Sequence, residues 1–454
     1  MTNRELRSVV GIPTDAERTY KLDRRHVFHS WAAQETLDPM VITRAEGSHV
    51  WDGAGNKFLD FASQLVFTNL GHQHPRIVEA IQKQAGLLCT VAPSYANAAR
   101  SEAARLITSH TPQGLDRVFF TNGGADANEH AIRMARLHTG RGKVLSTYRS
   151  YHGGTELAIN VTGDPRRWPS DNGSAGAVHF FGPFLYRSAF SAVTDAEERE
   201  RALTHLEQTI LLEGPQTIAA IILEPIPGTA GIMIPPPGYL RGVRALCDRH
   251  GIVFIVDEVM SGFGRAGAWF AVEHDQVVPD LLTFAKGVNS GYVPLGGVAI
   301  NDAIYDTFTQ RAYPGGLTYS GHPLACAAVV ATIETMEDED VVEHAVHLGN
   351  EVIGPHLREL AERHEWVGDV RGTGVFWALE LVVDRATKEP LAPYGESSPT
   401  MRAVVAACKA EGLLPFVSSN RIHVVPPINT SDVDIERGID MLDRALAKAA
   451  EAPG

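Results

Sequence analysis

Five short apolar runs constrain this chain more than any other feature: DRVFFTN (116–122), KVLSTY (143–148), TIAAIILEP (217–225), GIVFIVDEV (251–259) and LLTFAKG (281–287). Several are apolar at consecutive rather than alternate positions, the pattern of a strand buried on both faces. Helical stretches separate several of the runs. Strands of this kind alternating with helices predict a mainly parallel sheet covered on both sides.

Around that sheet, residues 1–40 read as an irregular or partly helical arm, followed by GSHVWDGAGNKFLDF (47–61), where turn residues separate short β-like runs in hairpin fashion. In PRIVEAIQKQAGLL (75–88), Ile77, Ala80, Ile81 and Gln84 recur at helical spacing behind a proline suited to a first turn. From about residue 330 the texture changes. A helical stretch rich in Ala, Val and Glu leads to RGTGVFWALELV, read as an apolar strand approached through two glycines. The helix MRAVVAACKAEG, the strand RIHVVPP and a final helix follow, the last with Ile435, Ile439, Leu442 and Leu446 on one face and Asp432 and Asp434 at its positive end. Residues 386–399 read as a loop. The expected division is an arm and hairpin at 1–69 belonging to a small domain, a large domain at 70–329, and the rest of the small domain at 330–454.

The 454 residues are 44% hydrophobic and 21% charged, an ordinary globular composition that allows a sizeable core. A net charge of -14 argues against nucleic acid or an anionic membrane as partner, because both select basic patches. Cys89, Cys247, Cys326 and Cys408 lack CxxC or Cys/His metal spacing, so neither zinc nor a disulfide framework is signalled. The two histidines of GHQHP (71–75) lack a third ligand and fit a structural turn better than a metal. The first thirty residues are charged throughout, and no run approaches the roughly 18 apolar residues of a membrane span. A cytoplasmic protein with reduced thiols is expected.

Chemistry gathers at the ends of the runs. Asp257 closes the fourth and Lys286 the fifth, which places an anion and an amine at one rim of the sheet. Pyridoxal phosphate chemistry uses that pair: an amine to bond the cofactor aldehyde, and a carboxylate to keep the pyridine nitrogen protonated so that the ring accepts electrons. In isolation, lysine and aspartate at strand ends are more often solvated surface residues. TNGGADANEH (121–130) joins the first run to a helix, and backbone N–H groups at Gly124 and Ala125 suit a phosphate there. Two glycines alone are more often a tight structural turn. In YHGG (151–154), Tyr151 suits one face of a flat heteroaromatic ring, and His152 either positions that ring or satisfies nearby backbone. Val259 suits the other ring face or ordinary core packing. GFGRAG (262–267) satisfies GxGxxG, but no helix pattern follows it and Asp257 and Glu258 would crowd a pyrophosphate.

Together, TNGGADANEH, YHGG, ILEP, VDEVMSGFGRAG, FAKG, VPLGG and GGLTYSGHPLACA, in this order, resemble the class III, omega-type aminotransferases from about residue 40 to the C-terminus. The resemblance implies the α/β architecture of fold type I pyridoxal phosphate enzymes, with a mainly parallel seven-stranded-type sheet in a large domain and a smaller α+β domain. It also implies a homodimer with shared active sites. It assigns Lys286 as catalytic residue and covalent anchor of pyridoxal 5'-phosphate, Asp257 as partner of the ring nitrogen, Tyr151 as stacking ring and Glu224 as the active-site glutamate. Thr318 is assigned as a phosphate ligand given to the neighbouring site. The implied reaction is ping-pong transfer of an amino group from a primary amine or omega-amino acid to a keto acid such as pyruvate, through the pyridoxamine form. A racemase or epimerase, decarboxylase or aminomutase of the same fold is the alternative.

The substrate end departs from the family pattern. Phe416 stands where many members carry a mobile arginine, and His423 where ornithine-type relatives carry one. Phe416 and Val66, with Leu65 beside them, are expected to form an apolar, open pocket for amines. Arg421 is the other candidate, as a carboxylate ligand.

Overall fold

The computed structural model describes residues 15–170 and 176–451, so the first part of the N-terminal arm lies outside the described residues. Within the arm, Ala16–His26 is a helix capped by the Asp15 side chain. Strands β1 (Ile42–Glu46), β2 (His49–Asp52) and β3 (Lys57–Asp60) then form an antiparallel meander, the expected hairpin plus one strand.

The large sheet contains β4 (Arg117–Thr121), β5 (Lys143–Thr147), β6 (Ala177–Phe180), β7 (Ile218–Leu223), β8 (Val253–Asp257), β9 (Leu281–Phe284) and β10 (Gly296–Ile300). Their order is β4-β10-β9-β8-β7-β5-β6. All five apolar runs become strands, and the neighbours from β9 through β6 pair in parallel. Every residue of β7, β8 and β9 is buried, as consecutive apolar residues require. Two strands were not foreseen. β6 is short, and β10 begins at the two glycines of VPLGG and runs antiparallel to both β9 and β4.

In the C-terminal part, β11 (Val367–Thr373) and β12 (Phe376–Asp384) form a hairpin where one strand was expected. Of the two glycines of RGTG, Gly372 is paired within β11 opposite Trp377 and Gly374 opens the turn. Gly374 has φ +54 and stands so close to Gly267 that a Cβ would sit 2.4 Å from the Gly267 nitrogen. β13 (Glu389–Pro390) pairs with β12, inside the expected loop. β14 (Leu413–Leu414) runs parallel to β3, which joins the N-terminal meander to this part of the chain. β15 (Phe416–Ser418) and β16 (Arg421–Val424) complete the β11-β12-β16-β15 sheet. The helix Pro323–Asp338 runs unbroken across residue 330 and packs on Pro75–Leu87 and Ala98–His110. In the final helix, Asp432–Glu451, Ile435, Ile439, Leu442 and Leu446 are all buried.

Candidate active site

The carboxyl ends of β4, β5, β7, β8 and β9 share one rim, and the residues just past them converge on a cavity of about 300 Å³. Open α/β sheets place their ligand sites at this rim. Asn122, Gly123, Gly124 and Ala125 come from the end of β4 and the start of the helix Gly124–Thr139. Tyr151 and His152 follow β5, Glu224 follows β7, Asp257 ends β8, and Lys286 stands two residues past β9. Because β10 runs the other way, Val293, Pro294 and Leu295 meet the same cavity just before that strand begins.

Asp257 is held by three donors. Its Oδ2 accepts from Asn128 Nδ2 at 2.7 Å and pairs with His152 Nδ1 at 2.8 Å, while Oδ1 accepts from the Val259 N–H at 3.0 Å. Asn128 also binds the His152 carbonyl and accepts from Thr283 Oγ1, both at 2.7 Å, so helix, loop and sheet fix one carboxylate orientation. The second His152 nitrogen lies 3.2 Å from Ser146 Oγ. His152 thus lines the cavity and at the same time holds Asp257. At the helix start, a Cβ on Gly124 would approach Val259 Cγ1 to 2.7 Å, so these two positions close together only with glycine.

Glu224 is buried, and its oxygens accept from the Tyr151 N–H and the Gly228 N–H, each at 2.9 Å. Burial pushes this carboxyl up to about 7, with His152 pulling it down and Asp257 pushing it up. Burial also pulls the Lys286 ammonium down to about 8, against the opposing pull of Glu224 and Asp257. Lys286 sits at φ 47, a left-handed conformation that L-residues avoid.

A second cavity of about 600 Å³ shares Tyr151, Thr229, Met260 and Lys286 with the first and extends outward. Its wall includes Leu65, Phe416, Tyr394 and three arginines: Arg149, Arg166 and Arg421. The Arg166 guanidinium lies over the Tyr151 ring, 3.5 Å from its centroid, and is paired with Asp164. Arg421 is 7% exposed and forms no ion pair among the described residues. β16 is regular: Arg421 stands opposite Glu380 and Ser418, and His423 opposite Phe416, so Arg421 and His423 share a face. Glu380 is already taken by Arg187 at 2.5 Å and Arg371 at 2.8 Å. That leaves Arg421 a 3.4 Å contact with Ser418 Oγ. His423 is no substitute cation, since burial and the adjacent Arg421 pull it down to about 3.

The class-III aminotransferase family model matches residues 31–446. The chain belongs to that family. It is 35% identical to the taurine–pyruvate aminotransferase of Rhodobacter capsulatus, over 97% of this chain and 99% of the relative. Taurine:2-oxoglutarate aminotransferase from Bifidobacterium kashiwanohense, solved with pyridoxal phosphate and glutamate, superposes with TM-score 0.93 at 41% identity, covering 96% of this chain and 98% of that one. An (S)-enantioselective omega-transaminase from Thermomicrobium roseum gives TM-score 0.91 at 35% identity, covering 97% and 100%. This aminotransferase is therefore a pyridoxal phosphate-dependent transaminase of the omega type, with the fold type I architecture, and the racemase, decarboxylase and aminomutase readings give way to amino transfer. The inner cavity fits the cofactor on its own chemistry: a buried amine, a fixed carboxylate, an aromatic ring and a helix N-terminus opened by glycine surround one space.

One residue expected at the site of its own chain, Val66, is not brought to these cavities, and Thr318, expected at the neighbouring subunit's site, does not line them either. Val66 is 1% exposed and packs with Ile226, Ile232 and Met260, because its φ of 58 turns the side chain into the core while Leu65 takes the cavity wall. Thr318 is exposed on the stretch before the helix Pro323–Asp338 and lines neither cavity. Sequence reasoning missed Asn128, Arg149 and Arg166. Asn128 was findable, since four residues after Gly124 on a helix is the same face. Arg149 lies in a turn and Arg166 in the short 3-10 helix Pro165–Ser170, neither with a periodicity to place it.

Proposed function

We propose that this aminotransferase takes its amino group from an omega-amino acid or a related amine with an anionic end, and gives it to pyruvate. The observation that carries this choice is Arg421, a buried guanidinium without a carboxylate partner among the described residues, on the wall of the cavity that contains Lys286. A substrate carboxylate or sulfonate supplies the missing charge. The taurine-processing relatives accord with that reading. Leu65, Phe416 and Tyr394 give the same cavity an apolar side, so uncharged amines also enter and bind more weakly.

When bound, pyridoxal 5'-phosphate supplies a protonated ring that accepts the electron pair left as the carbon bearing the amino group loses a proton. Lys286 is its covalent anchor in the resting enzyme. A free Lys286 amine would accept the proton from that carbon, a task suited to a lysine pulled toward neutral pH. Asp257 would pair with the ring nitrogen and keep it protonated, and His152 and Asn128 fix that carboxylate. Tyr151 and Val259, which line the inner cavity, would hold the ring, and the N–H groups of Gly124 and Ala125 at the helix start would hold the phosphate. Glu224 stands beside the reacting groups, held by the Tyr151 and Gly228 N–H groups.

Thr318, exposed and lining neither cavity of its own chain, would serve the phosphate of the neighbouring subunit in a homodimer. The four unpaired thiols suit a cytoplasmic setting. Borohydride reduction of the holoenzyme followed by peptide mapping tests the anchor. The cofactor mass on the Lys286 peptide is expected, and the mass on another lysine would contradict it.

A further inference from the structure

The segment Ser63–Val66 is bent against its own backbone preferences. Ser63 has φ 43, Gln64 φ 60 and Val66 φ 58, conformations in which an L-residue, above all a β-branched one, is strained. Such strain persists only where the surroundings over-determine it. Two buried groups do so here. The Asp60 carboxylate accepts from the Ala62 N–H at 3.1 Å, the Gln64 side chain at 2.8 Å and His72 Nε2 at 3.0 Å, and from the Gln64 N–H. From the other side, Arg265 of GFGRAG, fully buried, donates to Ser63 Oγ at 3.1 Å, Asn69 Oδ1 at 2.9 Å, the Val375 carbonyl at 3.1 Å and the Pro426 carbonyl at 2.5 Å. Ser63 Oγ in turn donates a hydrogen bond to the Val425 carbonyl at 2.6 Å.

One guanidinium therefore ties the strained segment to the turn between β11 and β12 and to the chain just past β16, the strand that carries Arg421. The residues so held have different destinations. Val66 goes into the core, Phe67 lines the inner cavity, and Leu65, 44% exposed, stands on the wall of the outer one. We infer that Arg265 is a positioning residue for substrate size: it holds the Ser63–Val66 bend, and through it keeps Leu65 at the wall of the outer cavity, narrowing the space for bulky amines. Arg265 lines neither cavity and acts through the segment it clamps. The inference rests on the outer cavity being the amine site.

The test compares kcat/KM for 1-phenylethylamine and for β-alanine, with pyruvate as acceptor, in the full-length holoenzyme and its Arg265→Lys, Ser63→Ala and Leu65→Ala variants. Lysine keeps the charge but loses the fork that reaches four acceptors. Ser63→Ala removes one anchor with little disturbance. Both are expected to raise the ratio in favour of the bulky amine by about three- to tenfold, through KM, with the β-alanine kcat within about twofold and the cofactor absorbance unchanged. If Arg265→Lys does not fold, Ser63→Ala decides. A raised ratio in Leu65→Ala with an unmoved ratio in Ser63→Ala overturns the clamp alone. An unmoved ratio in Leu65→Ala overturns the outer-cavity reading along with it.

Discussion

The inner and outer cavities share Lys286 but are built differently. Around the inner one, Asp257 and Glu224 stand at or just past strand ends and have internal partners, three donors on Asp257 and two backbone N–H groups on Glu224. Around the outer one, Arg149 comes from the turn after β5, Arg166 from the short 3-10 helix Pro165–Ser170 and Arg421 from a short strand of a separate sheet, where Arg421 is left without a carboxylate among the described residues. A completed network holds fixed chemistry in place. An uncompleted one waits for a ligand to complete it, so substrate choice belongs to the outer cavity and the reaction itself to the inner.

The largest expected effect breaks the inner side of that contrast. Lys286→Ala removes both anchor and proton carrier, and kcat is expected to fall by at least about 10⁴-fold for every donor in a steady-state assay of alanine formation from pyruvate. Arg421→Ala breaks the outer side and should separate the donors. The KM for taurine or β-alanine rises by about 10- to 100-fold, while that for an arylalkyl amine stays within about threefold. Equal losses for both would remove the distinction between the cavities.

A pH profile sharpens the same contrast. In cofactor-free protein the Lys286 amine lies near 8 rather than 10.5, so its neutral, aldehyde-reactive fraction grows as pH rises through 8. Cofactor uptake followed by absorbance should quicken about tenfold between roughly pH 7 and pH 9, and a flat profile would contradict it. A lowered lysine also means that the folded protein binds fewer protons than the unfolded chain between the two values. Its contribution is therefore unfavourable below about 8 and is relieved as pH climbs toward 10.5. The smallest effect is Asn128→Ala, which leaves His152 as the one side-chain donor on Asp257 Oδ2. A kcat loss of about three- to tenfold is expected, equal for anionic and uncharged donors.

The same contrast explains what was legible in the sequence. Asp257, Lys286, Glu224, Tyr151 and Gly124 end or follow apolar runs or open a helix, and runs of that kind announce a parallel sheet and its ligand-bearing rim. β10 was not legible because it opens in glycines and reverses direction, and β11 and β12 were merged because Gly374 reads equally as a turn or as a lead-in. Leu65 and Val66 defeated sequence reasoning for a further reason. Neighbouring residues were expected to share a pocket, and backbone strain sends one to the cavity and the other to the core. Arg421 was recognised only as a candidate. Its lack of a carboxylate partner among the described residues depends on Arg187 and Arg371 having claimed Glu380, a long-range arrangement that no local pattern reports.

The central claim is that Lys286 and Asp257 sit around one cofactor that carries the amino group between two substrates. The most direct measurement is the visible absorption spectrum of the purified holoenzyme as taurine and then pyruvate are added. The band of the lysine-bound cofactor should disappear with the amine and return with the keto acid, alanine forming in equal amount. A band that taurine, β-alanine and 1-phenylethylamine all leave unchanged, or one that disappears and is not restored by pyruvate, would contradict the account.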